Sequence, residues 1–160
     1  LNKVLSILAF LSFALCNISY AQSADLPKVF MIGEYEDEYE GLVVSCSDKL
    51  LSVCDNSMEE AYNKWMAMMG DMEAYSVKSE FDLRGIKIWI NVFWNKDGTV
   101  QNIVYYPKPN SRNMNFEELT SFFYSFLSDY QLDQKNEECF SFYGSASFPT
   151  FSKIVPAQEK

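Results

Sequence analysis

The chain has 160 residues, 48% of them hydrophobic and 16% aromatic, with 13 Lys and Arg against 22 Asp and Glu, a net charge of −9. That balance excludes nucleic acid as a partner, since nucleic acid demands a basic footprint, and sets the chain against anionic lipid surfaces. Histidine is absent, which excludes Ser-His-Asp and Cys-His catalysis, a histidine base and mixed Cys/His zinc sites.

Residues 1–21 read as a cleavable export signal. Lys3 is followed by an apolar run from Val4 to Cys16 and then by small Ser19 and Ala21, the charged, apolar, small-residue order of such segments. The run is shorter than the ~20 residues of a bilayer-spanning helix, so no membrane span is expected after cleavage near Ala21. Bulky Leu15 before Cys16 argues against lipidation. Residues 22–151 then form one domain, large enough to bury its own core, with 152–160 a flexible tail. The expected location is periplasmic or secreted. Three cysteines remain, Cys46, Cys54 and Cys139, which implies one disulfide and one thiol. Which two pair is left open, because it depends on Cα separation.

Acids crowd the first half, with 14 against 4 bases over residues 25–82, whereas residues 83–160 hold 8 of each. Residues 26–33 are consistent with a short strand or with the entry to a helix. Tyr35, Tyr39, Leu42, Val43 and Cys46 follow at helical spacing with acids between them, although Gly41 weakens that helix. A second short helical piece runs from Asp48 to Cys54. The acids Glu34, Glu36, Asp37, Glu38 and Glu40 lack the spacing of a calcium loop and read as a solvated face.

Ser57-Met-Glu-Glu60 is a capping box that starts the clearest helix. Met58, Ala61, Tyr62, Trp65, Met68, Met69, Met72 and Tyr75 give it an apolar stripe, read as core. Ile86 to Trp94 is rich in β-branched and aromatic residues, and Asn95-Lys-Asp-Gly98 closes a hairpin onto Thr99–Tyr106. Pro107 and Pro109 end that strand. Asn115 caps a further helix, with Glu118 at its third position and Met114 stapled to Leu119. Its buried face is Phe116, Leu119, Phe122, Phe123, Phe126, Leu127 and Tyr130. A last strand, about Cys139 to Phe148, alternates Phe140 and Phe142 against Ser141 and Tyr143. The expected fold is α+β: a small antiparallel sheet, hairpin plus C-terminal strand, packed against helices in the order α-α-β-β-α-β.

The run Trp89-Ile-Asn-Val-Phe-Trp-Asn-Lys-Asp-Gly-Thr-Val-Gln-Asn-Ile-Val104, a capped helix, and a strand ending Phe148-Pro149 resemble the C-terminal domain of the TonB energy-transducer family. The resemblance covers residues 57–151. It departs from the family in lacking the uncleaved anchor and the Pro-rich spacer, so it implies a stand-alone periplasmic or secreted domain. It also implies binding by strand addition, a partner peptide pairing with an open sheet edge, here the strand from Cys139 to Phe148.

With Trp94 opposite Thr99, one hairpin face carries Ile86, Ile88, Ile90, Val92, Ile103 and Tyr105. The other carries Trp89, Phe93, Val100, Val104 and Tyr106 among Lys87, Asn91 and Asn102. A one-sided sheet has a polar second face, so this one is either covered by residues 34–54, the favoured arrangement, or exposed as a partner surface. The candidate partner-binding residues are Trp89, Phe93, Val104, Tyr106, Phe140 and Phe142. Lys108 and Arg112, just ahead of a helix N-terminus, are the candidates for holding an anion. No catalytic, metal or cofactor motif is present. The leading expectation is an exported, non-catalytic binding or assembly module of the cell envelope, its partner an envelope protein or peptide. The alternatives are a hydrolase using two carboxylates such as Glu73 and Asp82, and a carrier with its pocket between the Met-rich helix and the sheet.

Overall fold

The computed structural model describes residues 26–150; the expected leader and the expected tail at 152–160 lie outside them. The elements are β1 (Val29–Met31), α1 (Glu36–Ser45), β2 (Asp48–Lys49), α2 (Leu50–Val53), α3 (Met58–Lys78), β3 (Lys87–Trp94), β4 (Val100–Pro107), α4 (Phe116–Asp129) and β5 (Phe140–Ser147). The protein is α+β, but its sheet is not the small antiparallel one expected, nor is its order α-α-β-β-α-β. Five strands lie in the order β1-β4-β3-β5-β2. The central β4-β3-β5 unit is antiparallel, while β1 runs parallel to β4 and β2 parallel to β5. The two added strands have three and two residues, too short to carry an alternation that sequence can reveal.

Their positions dictate what α1 does. β1 and β2 sit at opposite edges, so the chain between them must cross the whole sheet, about 19 Å over four strand spacings. A ten-residue helix reaches about 15 Å of that. Helix α1 therefore lies across the strands and seals one band of the sheet. Phe30, Leu42, Cys46, Phe93 and Val104 form the cluster beneath it. A disulfide between Cys46 and Cys139, with Cα atoms 4.9 Å apart, fixes its far end to the start of β5. Cys54 is left as a buried thiol, and burial, helped by the Glu60 charge, pushes its pKa up.

The opposite face holds the main core. Met68, Met69 and Met72 of α3 and Leu119, Phe122, Phe123 and Phe126 of α4 close over Ile88, Ile90, Val92, Ile103 and Tyr105. Ser57 caps α3 by accepting from the Glu60 N–H at 3.2 Å, and Asn115 caps α4 by accepting from the Glu117 N–H at 2.9 Å. Met58 and Tyr62, expected in the α3 stripe, and Phe116, expected on the buried face of α4, are exposed. The hairpin register also differs from expectation. Trp94 pairs with Val100, not Thr99, after an irregularity between Phe93 and Trp94. That slip turns Val100 into the main core with Trp94, away from the face shared by Trp89, Phe93 and Val104. One residue of register moves a side chain from one face to the other.

Candidate functional site

An eight-residue strand is about 27 Å long, and a helix with its side chains is about 10–12 Å wide. A helix lying across the sheet cannot cover the full length of β3, and α1 covers the Phe93 end. Tyr39 of α1 meets the Phe93 ring edge-on at 6.2 Å and takes a 3.3 Å hydrogen bond from Asn91 Nδ2. Beyond Asn91 the same face is open. Trp89, Tyr106 and Tyr143 remain 41%, 50% and 56% exposed on three adjacent strands. Trp89 pairs directly with Tyr106, and its ring lies within 15° of parallel to that of Tyr143 at 6.1 Å.

Lys108 reaches across this surface. Its ammonium stands 4.0 Å from the Trp89 ring centroid, a cation–π contact, and donates to Ser145 Oγ on β5. Asn91 Oδ1 lies where the covered and open halves meet, buried and without a hydrogen-bond partner.

The adjoining edge is unfinished. Among the described residues, strand β2 pairs only with Phe140 and Ser141, leaving β5 from Phe142 to Ser147 with β3 on one side. Phe148 donates its N–H to Ile86 O at 2.9 Å, which sets the phase of the antiparallel alternation. The backbone groups of Tyr143, Ser145 and Ser147 consequently point away from β3. Two lysines of this acidic chain reach β5 with their side chains, and a third lies one strand in. Lys49 donates to Ser141 Oγ at 2.9 Å, Lys108 holds Ser145, and Lys87 sits opposite Ser147.

No family model, curated protein or solved structure matches this chain. The site must therefore be read from its own residues.

The six residues expected to meet a partner do not form one surface. Trp89 and Tyr106 are exposed, whereas Phe93 and Val104 are fully buried beneath α1. Phe140 stacks on Trp94 at 5.3 Å in the main core, and half-buried Phe142 packs on Trp65 at 4.7 Å. Tyr143 was missing from that set. Its signal was its phase, since it alternates with Phe142 and so must face the side opposite to Trp65. Lys108 and Arg112 do not converge on an anion either. Arg112 turns away to donate to the carbonyl oxygen of Asp82.

Glu73 and Asp82 do line one hollow, of about 260 Å³, together with Arg84 and Phe148. Their bonds are already committed. Glu73 accepts from the Thr150 N–H and hydroxyl, one on each oxygen. Hydrogen bonds from the Arg84 side chain and N–H, reinforced by its charge, hold the Asp82 carboxyl down to about 2. A carboxylate hydrolase pairs an ionised carboxylate with an acid whose pKa is raised, and Asp82 cannot be that acid. Asp82 should accordingly titrate near pH 2 when its carboxyl carbon is followed by NMR, and Arg84→Ala should move the midpoint up toward the ordinary carboxylate range. The linkage follows the depressed sign. Whatever stability the pair contributes is present above the unfolded pKa and is lost as pH falls through about 2. A midpoint that stays put in Arg84→Ala would remove Arg84 as the cause.

Proposed function

We propose that this chain is an exported, non-catalytic binding module that takes an extended segment of a partner protein onto the open edge of β5, in the manner of a TonB C-terminal domain. One observation carries the reading: among the described residues an unpaired run of sheet edge, Phe142–Ser147, lies beside three exposed aromatic rings on the same side of the sheet. Exposed edges are normally blocked or covered, and exposed aromatic clusters mark contact surfaces. Here the two coincide. Backbone pairing would supply affinity, and the Trp89–Tyr106–Tyr143 surface would select side chains on one face of the added strand. The Cys46–Cys139 disulfide suits an oxidising compartment, in keeping with the export signal read at residues 1–21. Among the described residues no helix is long and apolar enough to cross a membrane.

The test uses substitutions chosen to spare the fold. Ser145→Pro removes an N–H that points away from β3, a position where an edge strand tolerates proline. Trp89→Ser trims an exposed ring. A partner captured from an envelope extract by the native chain should bind each variant at least tenfold more weakly. The partner's arrival should also slow hydrogen exchange at Tyr143, Ser145 and Ser147. Native affinity in either variant, or exchange at those amides unchanged by the partner, would sink the reading.

A further inference from the structure

A second site lies on the other side of the molecule, in a groove of about 400 Å³ between α3 and α4. Its lining includes the rings of Tyr75, Phe126 and Tyr130 and the exposed carboxylates of Asp71 and Asp129. The Tyr75 and Phe126 rings meet at 64° with centroids 5.8 Å apart, and Tyr130 stacks on Phe126 at 4.9 Å. Phe126 is buried behind the other two, so the aromatic surface that borders the groove is that of half-buried Tyr75 and Tyr130. Burial, with the nearby Asp71 charge adding to it, raises the Tyr130 pKa and so keeps its phenol neutral.

Neither carboxylate has an ion-pair partner among the described residues. Lys78 also borders the groove, but it lies seven residues beyond Asp71, about 10 Å along the helix axis. Two exposed carboxylates without an ion-pair partner thus border the aromatic groove, against the single Lys78 ammonium.

We propose that this groove binds a small organic cation of the quaternary ammonium class. Such a cation has no N–H to donate and sheds water easily, so aromatic faces hold it by cation–π attraction while the carboxylates draw it in. The other ligand classes fit less well. No three His, Cys, Asp or Glu side chains converge as metal ligands among the described residues, anions meet two carboxylates, and a neutral apolar molecule makes no use of them. The volume falls in the range of pockets that hold small organic ligands. The site shares no residue with the β5 edge, so it stands or falls apart from the function proposed above.

Choline is the probe. Titrated into the full chain, it should shift the Tyr75 and Tyr130 ring signals saturably in NMR. The neutral alcohol in which carbon replaces the choline nitrogen should bind at least tenfold more weakly. Asp71→Asn with Asp129→Asn, both on exposed side chains, should weaken choline binding at least tenfold without loss of fold. Phosphatidylcholine vesicles, set against phosphatidylglycerol vesicles, distinguish a lipid headgroup from a free cation, and binding of either form supports the site. No saturable shift, equal binding of the neutral alcohol, or an unaffected double variant would overturn the proposal.

Discussion

Replacing Cys46 and Cys139 together with alanine is expected to lower the unfolding free energy by roughly 3–5 kcal/mol. The bridge spans 93 residues, and closing so long a loop removes much of the freedom of the unfolded chain. Its position adds to the effect. The bond is the covalent tie between the end of α1 and the start of β5, and α1 is a weak helix held mainly by Leu42 and Cys46 over Phe93 and Val104. Without the tie the crossing helix can lift, exposing two fully buried apolar side chains. Urea unfolding provides the check. The native chain with reductant should unfold at the midpoint of the double variant, well below that of the oxidised chain. Cys54→Ala should cost only its own packing, about 1 kcal/mol for a small core truncation. Coincident midpoints for oxidised and reduced chains would dispose of the claim.

The parts of this fold that sequence made legible are those where one residue type does one local job. Gly98 marked the hairpin, Ser57 and Asn115 marked helix starts, and the Phe spacing after Asn115 marked a buried face. What stayed hidden depends on distant pairings. Strands β1 and β2 exist because the edges of β4 and β5 offer them backbone partners; residues 26–33 allowed a short strand or a helix entry without deciding between them, and nothing local in Asp48–Lys49 announces a strand. The cysteine pairing waited on the crossing of α1, which follows from those two strands lying at opposite edges. The candidate surface shows the same division. Its aromatic residues were visible in the hairpin, but which of them stay exposed is decided by where a helix of fixed width falls across a longer strand. Covering Phe93 and Val104 and leaving Trp89 and Tyr106 open is a tertiary fact.

Alanine substitution at two glycines should give opposite signs, and the contrast tests how the hairpin is held. Gly98→Ala is expected to destabilise by roughly 2–4 kcal/mol, combining left-handed strain with a steric clash. Gly98 has φ +87°, and a β-carbon there would collide with the carbonyl oxygens of Leu132 and Gln134. Those atoms belong to the segment that leads into β5, and it is bound to the hairpin tip. Leu132 donates to Gly98 O at 2.9 Å, Asn136 to Lys96 O at 3.0 Å, and Gln131 Nε2 to Asp97 O at 2.8 Å. A side chain at 98 must therefore displace the approach to β5 as well as strain the turn. Gly41 lies exposed inside α1 with nothing within 4 Å of a β-carbon, so Gly41→Ala should stabilise by about 0.5–1 kcal/mol through helix propensity alone. Thermal unfolding of the two variants beside the native chain reads both. If Gly98→Ala melts with the native chain, the hairpin tip does not anchor the segment before β5, and the register of the open edge must be set elsewhere.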